Sequence, residues 1–428
     1  MSTHSKLGLD AATLASLVEV HRVHRRVYTD PEIFELEMTK VFAANWCYLA
    51  HESQIREIGD FVTTTIGRRP VVVTRDSQGV IHGLLNRCSH RGATLVSTSS
   101  GCSKRFTCPY HGWTYRSDGT LVGMPYPANH PSQDRSEFTL GRLTVGSYRG
   151  FVFGTLNANP RPLEEWLGAA RDCLDLVIDR HPGGQLTVLP SKQKLEYRGN
   201  WKLAWDNAAD GIHATFAHHS YNELGSTNDI ETVLARDPGS TGMVAKALGN
   251  GHMVVDQRPG IPKGPWATMR PMPFGEPLVA AIEADGHAAE LDLATGSMVN
   301  LSLFPNLIFV GNQLLVVEPL SVDRTRLSLS LHLAPEAAAE INMLRYRVEE
   351  DFVSFGTPDD LEMFERVQEG LSIPEVEWVD VSRGLVDGVD RAGPDGIITG
   401  PITSEAPQRG YLAHYAHLLT TDAVTHAG

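Results

Sequence analysis

The segments NRCSHRG and TCPYHGW place Cys88, His90, Cys108 and His111 in the pattern Cys-x-His, 17 residues, Cys-x-x-His. Two thiolates and two imidazoles on two short loops are a donor set for a [2Fe–2S] cluster. Each loop then supplies one Cys to one iron and one His to the other, and imidazole ligation raises the reduction potential above that of an all-Cys cluster. A structural zinc site is the competing reading, because it uses the same residue types. The one-residue spacing of Cys88 and His90 is too tight for the usual zinc knuckle. Arg91-Gly92 after the first His and Gly112-Trp113 after the second also repeat one flanking logic. Glycine lets the backbone approach a cluster closely, and Trp113 can shield it. Cys102 fits neither loop and reads as a plain thiol.

A one-electron carrier of this Rieske kind implies redox chemistry elsewhere in the chain. The chain has 428 residues, room for two or three domains. An apolar share of 42% supports a core, and 21% charged residues argue against disorder. The net charge of −14 disfavours nucleic acid or an anionic membrane as partner. The start MSTHSKLGLDAATLASLVEV lacks the basic then apolar layout of a signal peptide. No stretch reaches the ~18 apolar residues of a membrane-spanning helix. Five cysteines argue against a disulfide framework. Together these features predict a cytoplasmic protein. No G-x-G-x-x-G follows a strand and no Walker A motif is present. Electrons for the cluster are therefore expected from another protein, with NAD(P)H used indirectly through a separate reductase.

The pattern of the chain predicts an α+β protein. Residues 20–42 read as helical, with Thr29-Asp30-Pro31 as a start signal. From about 45 to 155 short alternating strands bounded by turns predict an all-β module that carries both cluster loops. A helix is expected over 162–180, stopped by His181-Pro182-Gly183-Gly184. The second half combines long strands such as LSLFPNLIFVGNQLLVVEPL with a largely helical stretch at 336–370. The Gly/Pro/Asp-rich run at 383–410 reads as a surface loop. The expected division is an N-terminal helical segment (1–44), a cluster domain (45–155) and a catalytic domain with a central antiparallel sheet flanked by helices (156–428).

A second concentration of ligand-type residues lies in NWKLAWDNAADGIHATFAHH at 200–219. Read as one helix, it puts Asn207, His213 and His218 within about 80° of Asp210, separated only by Ala214 and Ala217. Trp205, Ile212 and Phe216 fall on the opposite side, and His219 lies nearer to them. This favours His218 over His219 as a ligand. A polar helix face with satisfied histidines is the plain reading. Two histidines and a carboxylate are also the facial triad of mononuclear iron(II), which leaves positions open for dioxygen. FGTPDDLEMFERVQEGL offers the carboxylate, with Thr357 as N-cap and Pro358 as the first helical residue. Asp359 and Asp360 there also suit a helix dipole. Asp360 shares its face with Met363, Phe364, Val367 and Leu371, whereas Asp359 lies about 100° away. A carboxylate on an apolar face needs a partner, so Asp360 is the candidate ligand.

Taken together, these residues resemble the large (α) subunit of a Rieske-type aromatic ring-hydroxylating oxygenase. The resemblance runs from DPEIFELEM and NWCYLAHESQI through the cluster loops and NWK…DNAADGIHATFAH to LFPNLIF and DDLEMFERVQEGL. It is most similar to the benzoate and toluate type. It implies mononuclear Fe(II) held by His213, His218 and Asp360, beside a [2Fe–2S] cluster on Cys88, His90, Cys108 and His111. It implies trimers, either homotrimers or α3β3 with a small β subunit, in which one subunit's cluster lies beside its neighbour's iron. Asp210 would then bridge a cluster histidine to His213, as carboxylates do beside metal ligands, and Asn207 matches a family position near the iron. Ile212 departs from the family, where many relatives carry Tyr before the ligand histidine.

The resemblance implies a terminal oxygenase that takes dioxygen and reductase-supplied electrons, with or without a ferredoxin, to cis-dihydroxylate an aromatic substrate, an aromatic acid in the most similar type. Substrate is expected over the iron, walled in part by the 298–317 strands and the Phe216 helix. His252 and Asn300 are pocket candidates, with a structural role favoured for each. The alternatives are a Rieske monooxygenase, an electron-transfer protein whose second domain only docks partners, and a zinc-stabilised binding module. No single arginine stands out as an anchor for a substrate carboxylate.

Overall fold

The computed structural model describes residues 9–130, 134–190, 193–218, 241–261, 266, 276–386 and 388–421. Near the N-terminus Asp30 caps the helix Pro31–Glu37, accepting from the backbone N–H groups of Glu32 and Ile33. The helix runs on as a π-helical turn, Met38–Ala43. Arg22–His24, expected within a helix, is instead a strand paired with Trp378–Asp380. The pairing strand comes from the far end of the chain, which local pattern does not reveal.

Three small antiparallel sheets follow. Asp60–Ile66, Arg69–Arg75, Ile81–Leu85 and Ser100–Cys102 form the first. Arg105–Thr107, Thr114–Arg116 and Leu121–Gly123 form the second. Thr144–Tyr148 and Phe151–Thr155 pair back onto Cys47–His51 in the third. The loop of Cys88 and His90 joins two strands of the first sheet, and that of Cys108 and His111 joins two of the second. The helix expected over 162–180 is two helices, Leu163–Leu167 and Ala170–Asp179, parted at Gly168, whose φ is +50°.

The larger part of the chain is built on a ten-stranded antiparallel sheet. Its long central ribbon is Gln313–Ser321 against Arg324–Leu333. Leu307–Val310, Val299–Leu303, Met253–Asp256 and Val244–Ala247 extend it in turn. The run at 383–410 is not wholly a loop. Arg391–Ala392 and Ile398–Pro401 continue the sheet beside Val244–Ala247, and a helix begins at Ala406. Turn-rich composition hides these strands because their partner edge is distant in sequence. The helical stretch expected at 336–370 is Ala339–Phe355 followed by Thr357–Leu371. Thr357 is the first residue of its helix and not the N-cap, a place taken by Gly356. No helix among the described residues is long and apolar enough to cross a membrane.

One buried polar junction joins three distant elements. The carboxylate of Glu37 accepts from Lys202 Nζ at 2.5 Å, Trp201 Nε1 at 2.7 Å and the Tyr415 hydroxyl at 2.6 Å. Glu37 and Lys202 are both fully buried. A second knot lies one turn on, where Asp206 accepts from the hydroxyls of Tyr28 and Tyr411. Together they lock the helix Trp201–Ala208 between the N-terminal helix and the C-terminal helix Ala406–Thr420. Removing one member of a buried pair leaves an uncompensated charge, at a cost of about 3–5 kcal/mol. Lys202→Met is therefore expected to lower the melting temperature sharply, read by circular dichroism, with Glu37→Gln in the same chain restoring part of the loss.

Candidate cluster site and metal centre

The two cluster loops fold alike. Cys88 N–H donates to the Ala93 carbonyl and Gly92 N–H to that of Cys88; Cys108 N–H donates to the Trp113 carbonyl and Gly112 N–H to that of Cys108. Each turn needs its glycine in the left-handed region, with φ of +81° at Gly92 and +73° at Gly112. Asn86 clamps the first loop, accepting from Leu95 and Val96 N–H and donating to the Val96 carbonyl. The result gathers all four predicted residues. Cys88 and Cys108 are buried free thiols, and the rings of His90 and His111 stand 4.7 Å apart. The Nδ1 atoms of both histidines are buried without a hydrogen-bond partner, an arrangement that suits metal ligation. Burial and the neighbouring His111 hold the His90 imidazole below its ordinary pKa, favouring the neutral ligand form.

Single-ion and two-iron readings differ in how tightly the donors gather. Among the described residues, only His213, His218 and Asp360 bring three ligand atoms within 4.8 Å of one another. The four loop residues do not gather into a single-ion group of this kind, which fits a two-iron cluster better than one zinc ion. Trp113 stacks on His90 with an interplanar angle of 8°, the shielding expected of it. Cys102 lies exposed on its strand, apart from the site. Sequence reading missed Tyr115, whose hydroxyl lies 3.3 Å from Cys88 Sγ and accepts from Ser89 N–H.

The second group forms in a way the single-helix reading did not foresee. The helix Trp201–Ala208 stops, and a short helix His213–Ala217 begins after a turn. Asp210 makes that turn, its Oδ1 accepting from the N–H groups of Ile212 at 2.7 Å and His213 at 2.9 Å. At Gly211 a Cβ would lie 2.1 Å from Ile402 Cγ1, so only glycine fits there. The segment is therefore not the continuous helix expected from its pattern, and the turn itself brings the residues together. Phe216 itself is 78% exposed and does not wall the cavity, whereas Ala214 and Thr215 of the same short helix line it. His219 lies outside the described residues.

His213 Nε2 and His218 Nε2 both point at Asp360 Oδ1, at 3.6 and 3.4 Å. Neither contact is a hydrogen bond, and donors about 2.0–2.2 Å from one shared ion lie at such spacings. The other ring nitrogens are held from behind. His213 Nδ1 is 3.0 Å from the Asp210 carbonyl, and His218 Nδ1 is 3.4 Å from Asp359 Oδ2. Such outer partners orient metal-binding histidines, so Asp359, set aside in the sequence, belongs to the site. Asn207 Nδ2 donates to Asp360 Oδ1 at 3.1 Å. Burial raises the Asp360 carboxyl pKa against the pull of His213 and His218. Burial also acts to raise that of Asp210, but its bonds with His213 and the Ile212 N–H outweigh this and hold it well below the ordinary range. Arg383, unremarked in the sequence, donates to Asp210 Oδ2 at 3.0 Å.

A cavity of about 220 Å³ opens on these residues. Ala204, Ala208, Gly211 and Ala214 leave space beside the triad, while Met298, Ile308, Val310 and Phe352 form apolar walls. Asn300 also lines it. His252 does not, being buried between the Trp166 carbonyl and the Phe304 N–H in a structural role.

The Rieske [2Fe-2S] domain family matches residues 45–144, and the ring hydroxylating alpha subunit (catalytic domain) family matches residues 185–420. Toluate 1,2-dioxygenase subunit alpha of Pseudomonas putida is 38% identical, over 92% of this chain and 89% of that protein. The anthranilate 1,2-dioxygenase large subunit of Acinetobacter baylyi is 35% identical, over 85% and 80%. The 2-halobenzoate 1,2-dioxygenase large subunit of Burkholderia cepacia is 34% identical, over 87% and 82%. The fold is that of naphthalene 1,2-dioxygenase, with a TM-score of 0.80 at 24% identity over 95% of this chain and 94% of the other. The naphthalene 1,2-dioxygenase of a Rhodococcus species superposes with a TM-score of 0.75 at 26% identity over 93% and 94%.

The chain belongs to the large (alpha) subunit family of Rieske ring-hydroxylating dioxygenases. It is the terminal oxygenase of such a system, hydroxylating aromatic substrates with dioxygen and electrons from a reductase, and it uses a [2Fe–2S] cluster and a mononuclear iron. Hydrogen bonds to cluster sulfurs are one of the means by which a protein sets the potential. Tyr115→Phe is therefore expected to lower the cluster's reduction potential without loss of the cluster, read by a redox titration followed by electron paramagnetic resonance.

Proposed function

We propose that this protein cis-dihydroxylates a single-ring aromatic acid, with His213, His218 and Asp360 holding the iron and Cys88, His90, Cys108 and His111 holding the cluster. One observation carries the reading. A single cavity is lined by all three candidate iron ligands and closed by apolar walls. At about 220 Å³ it is below the roughly 300–1,000 Å³ typical of drug-sized ligands, which suits one ring better than fused rings. The names of three relatives supply the substrate class, since toluate, anthranilate and 2-halobenzoate are all single-ring aromatic carboxylates.

When bound, the iron supplies dioxygen activation and the cluster supplies electrons one at a time. The chain's own residues do the rest. Asp359 and the Asp210 carbonyl fix the two imidazoles, and Asn207 orients the Asp360 carboxylate by donating to Oδ1. The apolar walls hold the ring and exclude water. Asp210 remains ionised well below neutral pH and lies at a partly exposed edge of the site beside His213. In this reading its carboxylate accepts an N–H from a cluster histidine of a neighbouring subunit. His90, His111 and Tyr110 are only partly covered or exposed, as such an approach requires.

This reading includes a trimer, with or without a small β subunit. The relatives' designations as alpha or large subunits support a smaller companion. It also includes the cytoplasm as location and a division of the chain near residues 44 and 155. Asp210→Ala is expected to keep iron and cluster content while lowering turnover about a hundredfold or more, as losses of outer metal-site partners do at the upper end. Unchanged turnover would remove the relay role. Asp360→Ala is expected to lose the mononuclear iron, by metal analysis, and to keep the cluster's visible spectrum. With labelled dioxygen, two labelled atoms in one product molecule are expected; a single labelled atom would instead identify a monooxygenase.

A further inference from the structure

Several polar groups that line the cavity are not explained by dioxygen chemistry. Glu349 of the helix Ala339–Phe355 lines it and is only 7% exposed. Its Oε1 accepts from the Asn312 N–H at 2.6 Å. Gly311 makes room for this carboxylate, because a Cβ there would lie 2.7 Å from Oε1 and 3.1 Å from Oε2. Gln313, 3% exposed, lies against Glu349 and donates to its main-chain carbonyl at 3.4 Å. Asn300 and Gln257 line the same cavity, and neither side-chain amide is hydrogen-bonded to another described residue.

A buried carboxylate facing a substrate cavity must have a partner. The nearest buried cation, Arg345, attracts the Glu349 carboxylate at longer range but makes its hydrogen bonds elsewhere. Its guanidinium donates to the carbonyls of Leu293 and His332 and contacts the rings of His181 and His332. No ion pair joins it to Glu349 among the described residues. Burial pushes the Glu349 carboxyl up to about 7, opposed by the Asn312 N–H, Gln313 and the more distant charge of Arg345. A donor delivered by a ligand would stabilise the ionised form. The described lining holds no lysine or arginine, so a substrate carboxylate would meet neutral amides.

We propose that Glu349 is a specificity-determining acceptor that selects aromatic acids bearing an amino or hydroxyl substituent on the ring, with the amides of Asn300 and Gln257 as donors to the substrate carboxylate. This rests on the aromatic-acid reading above. The discrimination follows from an asymmetry. A site built to accept a hydrogen bond rejects a ligand that lacks the donor, because the buried acceptor is left unpaired. A methyl group in place of the amino group fills similar space and offers no donor.

The test is calorimetric binding to the holoprotein, with the cluster and iron loaded, of the three aminobenzoates and the three methylbenzoates. At least one amino isomer is expected to bind about tenfold or more tightly than its methyl counterpart, and Glu349→Gln is expected to abolish most of that ratio. Equal binding of the matched pairs by the wild type would overturn the proposal without any variant being needed. So would a Glu349→Gln protein that weakens both members of a pair alike, which is the result for a merely structural counter-ion. Oxygen uptake and product analysis on the same ligands report separately on function. Selective binding without oxygenation would refute the aromatic-acid oxygenase reading and leave the acceptor role standing.

Discussion

The ion pair of Glu37 with Lys202, fully buried and completed by Trp201 and Tyr415, is the contact on which the rest of the site depends. Its members come from the N-terminal helix, the helix before the iron-site turn and the C-terminal helix. A pair of this kind tolerates little displacement, because any gap exposes a charge to an environment that cannot solvate it. The helix Trp201–Ala208 is thereby held in position along its buried face. Its free end then delivers Asn207 and, through the turn at Asp210 and Gly211, His213 and His218. The proposed metal centre is thus suspended from a frame whose parts are separated by nearly the whole chain.

Within that frame each ligand-type residue is held by another. Asp360 is oriented by Asn207, His213 by the carbonyl of Asp210, and His218 by Asp359. Asp210 is itself fixed by two backbone N–H groups and by Arg383, which also pairs with Glu405. Such over-determination suits a site whose donors must converge before a cation is present. The cluster loops follow the same economy: a repeated backbone turn, one glycine each in the left-handed region, and a clamp by Asn86.

The cavity joins two chemistries. Near the triad it is lined by alanine, glycine and apolar side chains, which give space and exclude water. Its lining also includes amides and the Glu349 carboxylate, which give direction to a polar ligand. Area and apolarity alone would bind many arenes; placed polar groups are what separate them.

Much of this was legible in the sequence, and for identifiable reasons. Cys88, His90, Cys108 and His111 are close in the chain, so their spacing alone announced a shared group. Asp360 was distinguishable from Asp359 because helical periodicity put it on an apolar face. The α+β layout followed from the alternation of strand and helix patterns. What required the tertiary structure was everything set by distant partners. The strand at 22–24 and those at 391–392 and 398–401 exist because far edges pair with them. The turn at Asp210 replaces a continuous helix, with Asp210 accepting two backbone N–H groups and the distant Ile402 packed so closely over Gly211 that only glycine fits. Asp359, Tyr115, Arg383 and Glu349 are ordinary polar residues in sequence. They acquire their parts only by proximity to His218, Cys88, Asp210 and the cavity. Donor type and local spacing are properties of the chain, so the sequence by itself determined the cofactors and the class of chemistry. Orientation, proton tuning and substrate selection depend on contacts across long separations, and these only the folded molecule decided.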